Sequence, residues 1–344
     1  MAYTTIKKPS DYFNTKLYTG NATARSITGV GFQPDWVWIK GRTTAYNNTL
    51  FDSVRGATKR IYSNGTDAES TQTATLTSFD SDGFSLGNNA SVNSATSTFV
   101  TWNWLADNTS GSSNTDGSIT STVSANTTSG FSIVKYTGTG SAETIGHGLG
   151  VAPACIIFKD LSASVDWFVY HQSTGATNRT KLNTTDASSA STFINNTAPS
   201  STVFNTEGGG ATGTNGNNFI AYCFAEKKGF SKFGSYVGNG STDGTFVYTG
   251  FKPAMVIIKK TTSGDEQHWN MNDNKRDTFN VMDKRLYPSS GNEEVTSTAY
   301  YMDYLSNGFK IRSNSTSWNG SGASYIYMAF AEEPLVGDNP ATAR

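Results

Sequence analysis

The chain has 344 residues, a net charge of -1 and only 15% charged residues, so no basic excess exists to meet a phosphate backbone and nucleic-acid binding is set aside. Gly (34 residues), Ser, Thr and Asn abound, yet 12% of the chain is aromatic, a composition that fits short strands and long polar loops and not a disordered polymer. The length suits two or three domains.

The N-terminal "MAYTTIKKPSDYFNTK" lacks the apolar core of a secretory signal, and no apolar run approaches the length of a membrane span. Synthesis in a cytoplasm, with neither export by the usual route nor membrane insertion, is the expectation. A Tyr-x-Gly turn follows at Tyr18, and then the strand "PDWVWIK", Pro34 to Lys40. Both elements return. "YTGT" at Tyr136 precedes "PACIIFK" (Pro153 to Lys159), and "YVGN" at Tyr236 precedes "PAMVIIK" (Pro253 to Lys259), with Tyr-to-Pro separations of 16, 17 and 17. A closing strand repeats as "FVTWNWLA" from Phe99, "FIAYCFAE" from Phe219 and "YIYMAFAE" from Tyr325, with its bulkier residues in alternation. "FDSDGFSL" from Phe79 and "YLSNGFKI" from Tyr304 place hairpin turns at Asp82-Gly83 and Asn307-Gly308, whereas the middle copy has "NNTAPSSTVFN" instead.

These repeats predict an all-β protein of three tandem, related β-sandwich (jelly-roll-like) domains: 1–107, a linker at 108–117, 118–226 and 227–344. "SITSTVSANTTSGFSIVKYTG" reads as the hairpin that opens the second domain. Trp36 and Trp38 are replaced by Cys155 and Ile157, and by Met255 and Ile257, in the other copies. A packed core tolerates that exchange and a sugar-stacking platform does not, so they are read as core, with Trp102 and Trp104. Cys155 and Cys223, inside apolar strands, read as buried free thiols.

Catalytic chemistry is not visible. His147, His171 and His268 have no second ligand at metal-binding spacing. "DSDGF" places Phe84 and Ser91 where a calcium loop needs an oxygen ligand and a glutamate. Glu226 and Glu332 recur at strand ends, where they read as edge charges and not as a hydrolytic pair. No catalytic residue, metal site or cofactor is therefore assigned. Glycan contact needs only an exposed aromatic ring beside amide or hydroxyl groups. Trp318 in "NSTSWNGSG" and the His268–Trp269 pair in "DEQHWNMNDN" are the candidates, since they stand in polar loops outside the shared strands. The alternative for each tryptophan, and the commoner outcome, is an indole folded back over its own domain.

The opening "MAYTTI…YFNTKLYTGN", the "GFQPDWVWIK" strand, "SANTTSGFSIVKYTGTGS…GHGLGVAP" and the final "MAFAEEPLVG…AR" together resemble repeat-containing virion proteins, tail-fibre-like or decoration-like, of marine tailed bacteriophages. The resemblance implies a non-enzymatic structural protein on the virion surface, with other capsid or tail proteins as partners and a host-surface glycan as ligand. The first domain begins almost at once, which favours a compact surface-mounted protein over a long tail fibre. Assembly through loops and strand edges follows, as a homotrimer or as a threefold arrangement within one chain. The competing classes are a glycan-cleaving phage depolymerase and a free lectin.

Overall fold

A computed structural model describes residues 3–265, 267–297 and 299–342 of the chain. The protein is nearly all β, built from antiparallel sheets whose strand order recurs. From the first repeat, an opening strand Phe13–Thr19 lies beside a closing strand Thr98–Trp104, then a central strand Trp36–Gly41 and a flanking strand Thr49–Asp52. The second repeat sets Phe131–Thr137, Asn218–Phe224, Cys155–Asp160 and Phe168–His171 in that order. The third sets Ser231–Val237, Ser324–Pro334, Phe251–Lys260 and Asn270–Asp273. Registers match as well. Trp36 faces Trp104 and Trp38 faces Trp102, as Cys155 faces Phe224 and Ile157 faces Tyr222, and as Met255 faces Phe330 and Ile257 faces Met328.

Both faces of each sheet are covered, which is why the central strands read as continuous apolar runs. On one face Val37 and Ile39 pack with Ile27, Phe84 and Leu86 of a small three-stranded sheet. Ile156 and Phe158 meet Ile145 and Phe204, and Val256 and Ile258 meet Val247 and Phe309, in the same manner. The opposite faces converge on one shared core that draws residues from all three repeats. There Trp36 stacks on Tyr222 with ring centroids 4.3 Å apart, Phe13 lies 5.1 Å from Phe330, and Phe224 lies 5.8 Å from Phe330. Trp36, Trp38, Trp102 and Trp104 are buried here, and so are the free thiols of Cys155 and Cys223.

The Tyr-x-Gly turns have one structural job in each repeat. The hydroxyls of Tyr18, Tyr136 and Tyr236 are buried and donate to carbonyls of Val92, Thr212 and Trp318, each in a one-turn helix before the closing strand. The glycine two places on lets that helix come close. A Cβ on Gly20, Gly138 or Gly238 would lie 2.1, 2.5 or 2.3 Å from a carbonyl oxygen, inside van der Waals contact.

Two expectations need correction. The segment 108–117 is not a free linker, because Ser112–Asn114 forms a strand on Ser121–Asn126 and becomes the outermost strand of the second sheet. Its side chains are polar since only its backbone groups are used. The hairpin turns fall one residue earlier than expected, at Ser81-Asp82 and Ser306-Asn307, with Gly83 and Gly308 opening the return strands.

Candidate functional site

The lysine one place before the end of each central strand is wholly buried. Lys40 Nζ donates to the carbonyls of Gly41 (3.1 Å), Tyr46 (2.7 Å) and, from the third repeat, Gly291 (3.0 Å). Lys159 Nζ donates to Ala163 (3.3 Å), Val165 (3.0 Å) and, from the first repeat, Thr66 (3.0 Å). Lys259 Nζ donates to Gln267 (2.6 Å) and, from the second repeat, Thr185 (2.7 Å). Burial pulls Lys40 and Lys159 down to about 8, against carboxylates that favour the charge: Glu293 for Lys40, and Asp160, Asp67 and Asp166 for Lys159. At neutral pH the ammonium groups persist, with carbonyl oxygens in place of water.

Each lysine thus ties its repeat to the preceding one, and the contacts close in a ring. Backbone bonds follow the same sense: Glu69 N to Leu161 O at 2.9 Å, Ser188 N to Thr261 O at 3.1 Å, and Glu294 N to Arg42 O at 2.8 Å. The residue four places before the end of each flanking strand does likewise. Trp167 Nε1 donates to Tyr62 O at 2.8 Å, Trp269 Nε1 to Lys181 O at 2.8 Å, and Asn48 Nδ2 to Tyr287 O at 3.0 Å.

Two of the three junctions carry a buried ion pair. Asp52 pairs with Arg55 and accepts from the Tyr222 hydroxyl at 2.7 Å. Asp273 pairs with Arg276 at 2.5 Å and accepts from Trp102 Nε1 at 3.1 Å. The guanidinium groups also reach Glu69 (3.2 Å) and Glu294 (3.3 Å). The third junction has His171 at the aspartate position. Its Nε2 lies 3.2 Å from Tyr327 O and its Nδ1 accepts from Ser173 N at 3.2 Å, so the neutral ring fits and burial lowers its pKa to about 4.

The residues expected to bind glycan do not form a site. Trp318 is buried, its indole in the core behind the third sheet and on its one-turn helix. Trp269 is buried in the shared core. Neither indole offers a face to a sugar ring, because a bulky apolar side chain in a polar loop gains most by folding inward. His268 is half-buried, with Nδ1 2.9 Å from Ser289 Oγ and its ring 4.9 Å from that of Tyr287. A signal for Trp269 existed in the sequence: Trp167 and Trp269 stand at equal distance before His171 and Asp273.

A surface cavity of about 560 Å³ opens on the second sheet, lined by Asp160, Asp166, Phe168, Arg179, Glu207 and Asn217 among others. Arg179 lies over the Phe168 ring at 4.5 Å, and its Nε is buried without a partner among the described residues. The carboxylates are already held. Asp160 accepts from Asn217 Nδ2 at 2.7 Å, Asp166 from Lys181 at 2.9 Å, and Glu207 from Ala211 N at 2.8 Å. Such a mixture of carboxylate, amide and guanidinium groups beside an aromatic ring matches the hydrogen-bonding needs of a polyhydroxylated ligand. Spacing alone did not reveal it, since its residues come from strands and loops far apart in the chain.

Among the described residues, no group of three His, Cys, Asp or Glu side chains comes together to hold a metal ion, and no helix is long and apolar enough to cross a membrane. No curated protein and no solved structure is significantly similar to the chain. One family model matches residues 8–334, so it spans the main sheets of all three repeats and the ring of contacts between them, and the chain belongs to that family, a domain of unknown function (DUF7483).

Proposed function

We propose that the chain is a non-enzymatic structural protein on the outside of a tailed-phage virion, where it decorates and stabilises the particle. In this reading the repeats are three tandem jelly-roll-like β-sandwich domains, 1–107, 118–226 and 227–344, closed into a ring inside one polypeptide. The ring supplies within one chain the threefold body that a homotrimer would otherwise build. The observation that carries the proposal is how the shared polar residues are used. Lys40, Lys159 and Lys259, and the Asp52–Arg55 and Asp273–Arg276 pairs, are all spent on bonds within and between repeats. A module selected to hold a shape uses its buried charges in this way. The phage context comes from the resemblance of the repeated strands to marine phage virion proteins.

Cryo-electron microscopy of particles carrying and lacking the protein tests the reading. Density for a three-lobed body on the head or tail, with particles that rupture more readily on heating without it, is the expected result. Particles with no such density overturn it.

The Arg179 cavity favours a second reading, adhesion to a host-surface glycan. Arg179→Ala would then lower adsorption to host cells and leave the particles intact. Its three carboxylates also give the depolymerase alternative a place to be tested. New reducing ends released from host polysaccharide by the purified protein, and lost in Glu207→Gln, would replace the structural proposal with an enzymatic one.

A further inference from the structure

The opening strands of the three repeats are equivalent, yet their outer edges are treated differently. In an antiparallel ladder alternate residues bond to one neighbour and the rest point away. Leu105 N to Tyr12 O (2.9 Å) and Gly20 N to Ser97 O (2.8 Å) fix the phase in the first repeat. Asn14, Lys16 and Tyr18 therefore bond the closing strand, and the backbone groups of Phe13, Thr15, Leu17 and Thr19 point outward. In the second repeat the corresponding outward residues Phe131, Ile133 and Lys135 are paired with Asn126, Ser124 and Thr122 of the chain's own hairpin. In the third, the outward Phe233 carbonyl accepts from Gln172 Nε2 at 2.6 Å. Among the described residues no strand pairs with the outer edge of Phe13–Thr19. Side chains stand in for two of its bonds: Asn14 Oδ1 accepts from Thr15 N (3.0 Å), and Arg25 donates to Thr19 O (2.8 Å).

The surroundings of this edge point to an occupant. At its Phe13 end a crevice of about 270 Å³ is lined by Thr15 and Asn274. Both side chains are buried, at 5% and 4% exposure, and Thr15 Oγ1 and Asn274 Oδ1 have no hydrogen-bond partner among the described residues. A cavity of about 330 Å³ bordered by Lys16 and Lys275 adjoins it, followed by a groove of about 430 Å³ along Lys16, Leu17 and Arg25. None of these three cations has a carboxylate within 4 Å among the described residues, although Asp82 lies near Lys16 and is held by the amides of Gly29 and Gly31. Glu332 and Glu333 stand only at the crevice end. Edge-to-edge pairing with a second copy about the strand centre would set Lys16 against Lys16, which is unfavourable.

We propose that the outer edge of Phe13–Thr19 is a docking site for an extended, acidic strand of a partner polypeptide. The strand adds antiparallel in the register that Ser121–Asn126 takes on Phe131–Lys135, with a carboxylate opposite Lys16 and a hydrogen-bond donor reaching Thr15 and Asn274. The proposal concerns the strand edge alone and holds or fails apart from any virion role.

The test uses the full chain and two synthetic peptides, one with the sequence of residues 120–126 and one carrying Glu in place of Val123, which falls opposite Lys16. The acidic peptide should bind about two- to fivefold more tightly, the range of one cross-strand charge pair. It should slow hydrogen exchange at the Thr15 and Leu17 amides and leave those of Asn14 and Lys16 unchanged. Leu17→Pro, which removes an outward N–H and no ladder bond, should abolish binding. Lys16→Glu should reverse the preference between peptides, a readout that stands even if the proline variant fails to fold. Binding without protection of Thr15 and Leu17, no binding at all, or a preference unmoved by Lys16→Glu overturns the proposal. Protection of those amides that grows with protein concentration in the absence of peptide assigns the edge to a second copy and overturns it as well.

Discussion

An ammonium group taken out of water keeps its charge only where protein oxygens replace the solvent. Lys159 meets that condition with the carbonyls of Ala163, Val165 and Thr66, the last from another repeat. Lys159→Met keeps an unbranched chain, one atom shorter, but strips those oxygens of their donor, at about 1–3 kcal/mol for each one left unpaired. A urea melt of the variant should show that loss, and an unchanged midpoint would mean that the bonds contribute nothing. His171 and Asp35 give the fold opposing pH responses. His171 falls from 6.5 to about 4 through burial, so the unfolded chain binds the extra proton between those values. Its contribution is complete above pH 6.5 and is lost as the pH falls towards 4. Asp35 rises from 3.8 to about 6 through burial, against amides of Asn108 and Ala106 and the Ser53 hydroxyl that favour its charge. Its contribution is complete below pH 3.8 and is lost as the pH rises through 6. Each shift corresponds to about 3 kcal/mol, so in this window they largely offset one another. His171→Gln should therefore make the protein relatively more stable at pH 4.5 than at 6.5, compared with the parent, and Asp35→Asn the reverse. Equal slopes in urea midpoints for the two variants would refute the assignment.

Elements built on apolar alternation were legible in the sequence, and elements built on backbone bonding were not. The central and closing strands stand where the repeated runs place them, because burial on both faces leaves a continuous apolar record in residues such as Trp36 to Ile39 and Ile156 to Phe158. Ser112–Asn114 escaped notice because a strand that offers only N–H and C=O groups to its neighbour needs no particular side chains. The buried lysines were visible as a motif but not as ties, since their acceptors are carbonyls of another repeat 74, 93 and 251 positions away. Trp269 and Trp318 left two readings open for a related reason: polar loop neighbours describe the surface of a loop and not the direction in which its one large side chain turns. The Tyr-x-Gly motif can be tested at the level of the helix it receives. Gly138→Ala would place a Cβ 2.5 Å from the Thr214 carbonyl, so the one-turn helix Gly210–Gly213 must retreat from Tyr136. An overpacking cost of about 1–3 kcal/mol should follow. A variant as stable as the parent would show that this helix yields freely.

The shared core makes a prediction about the whole molecule. In a chain of independent sandwich domains each repeat would bury its own apolar surface, and the repeats could unfold one at a time. Here the faces carrying Trp36 and Trp102, Tyr222 and Phe224, and Met328 and Phe330 pack together in one common core. A single repeat released from the ring would expose several large aromatic and aliphatic side chains at once. It would also leave a buried lysine without its acceptor from the neighbouring repeat, and on one side an aspartate or histidine without its cross-repeat partner. Burial of one such side chain contributes roughly 1.5–3 kcal/mol, so losing five or six is comparable with the whole stability of an ordinary domain. The full chain should accordingly unfold in one transition, with tryptophan fluorescence, weighted to the shared core, coinciding with far-ultraviolet circular dichroism, which reports every strand. Residues 108–226, which include the edge strand Ser112–Asn114, should bind hydrophobic dyes and melt without cooperativity when expressed alone. Co-expression with 1–107 and 227–344 should restore a soluble three-part complex, since the ring needs the three faces and not the two chain connections between them. A cooperative melt of 108–226 by itself would show that the second repeat is a self-sufficient domain and that the common core joins finished parts.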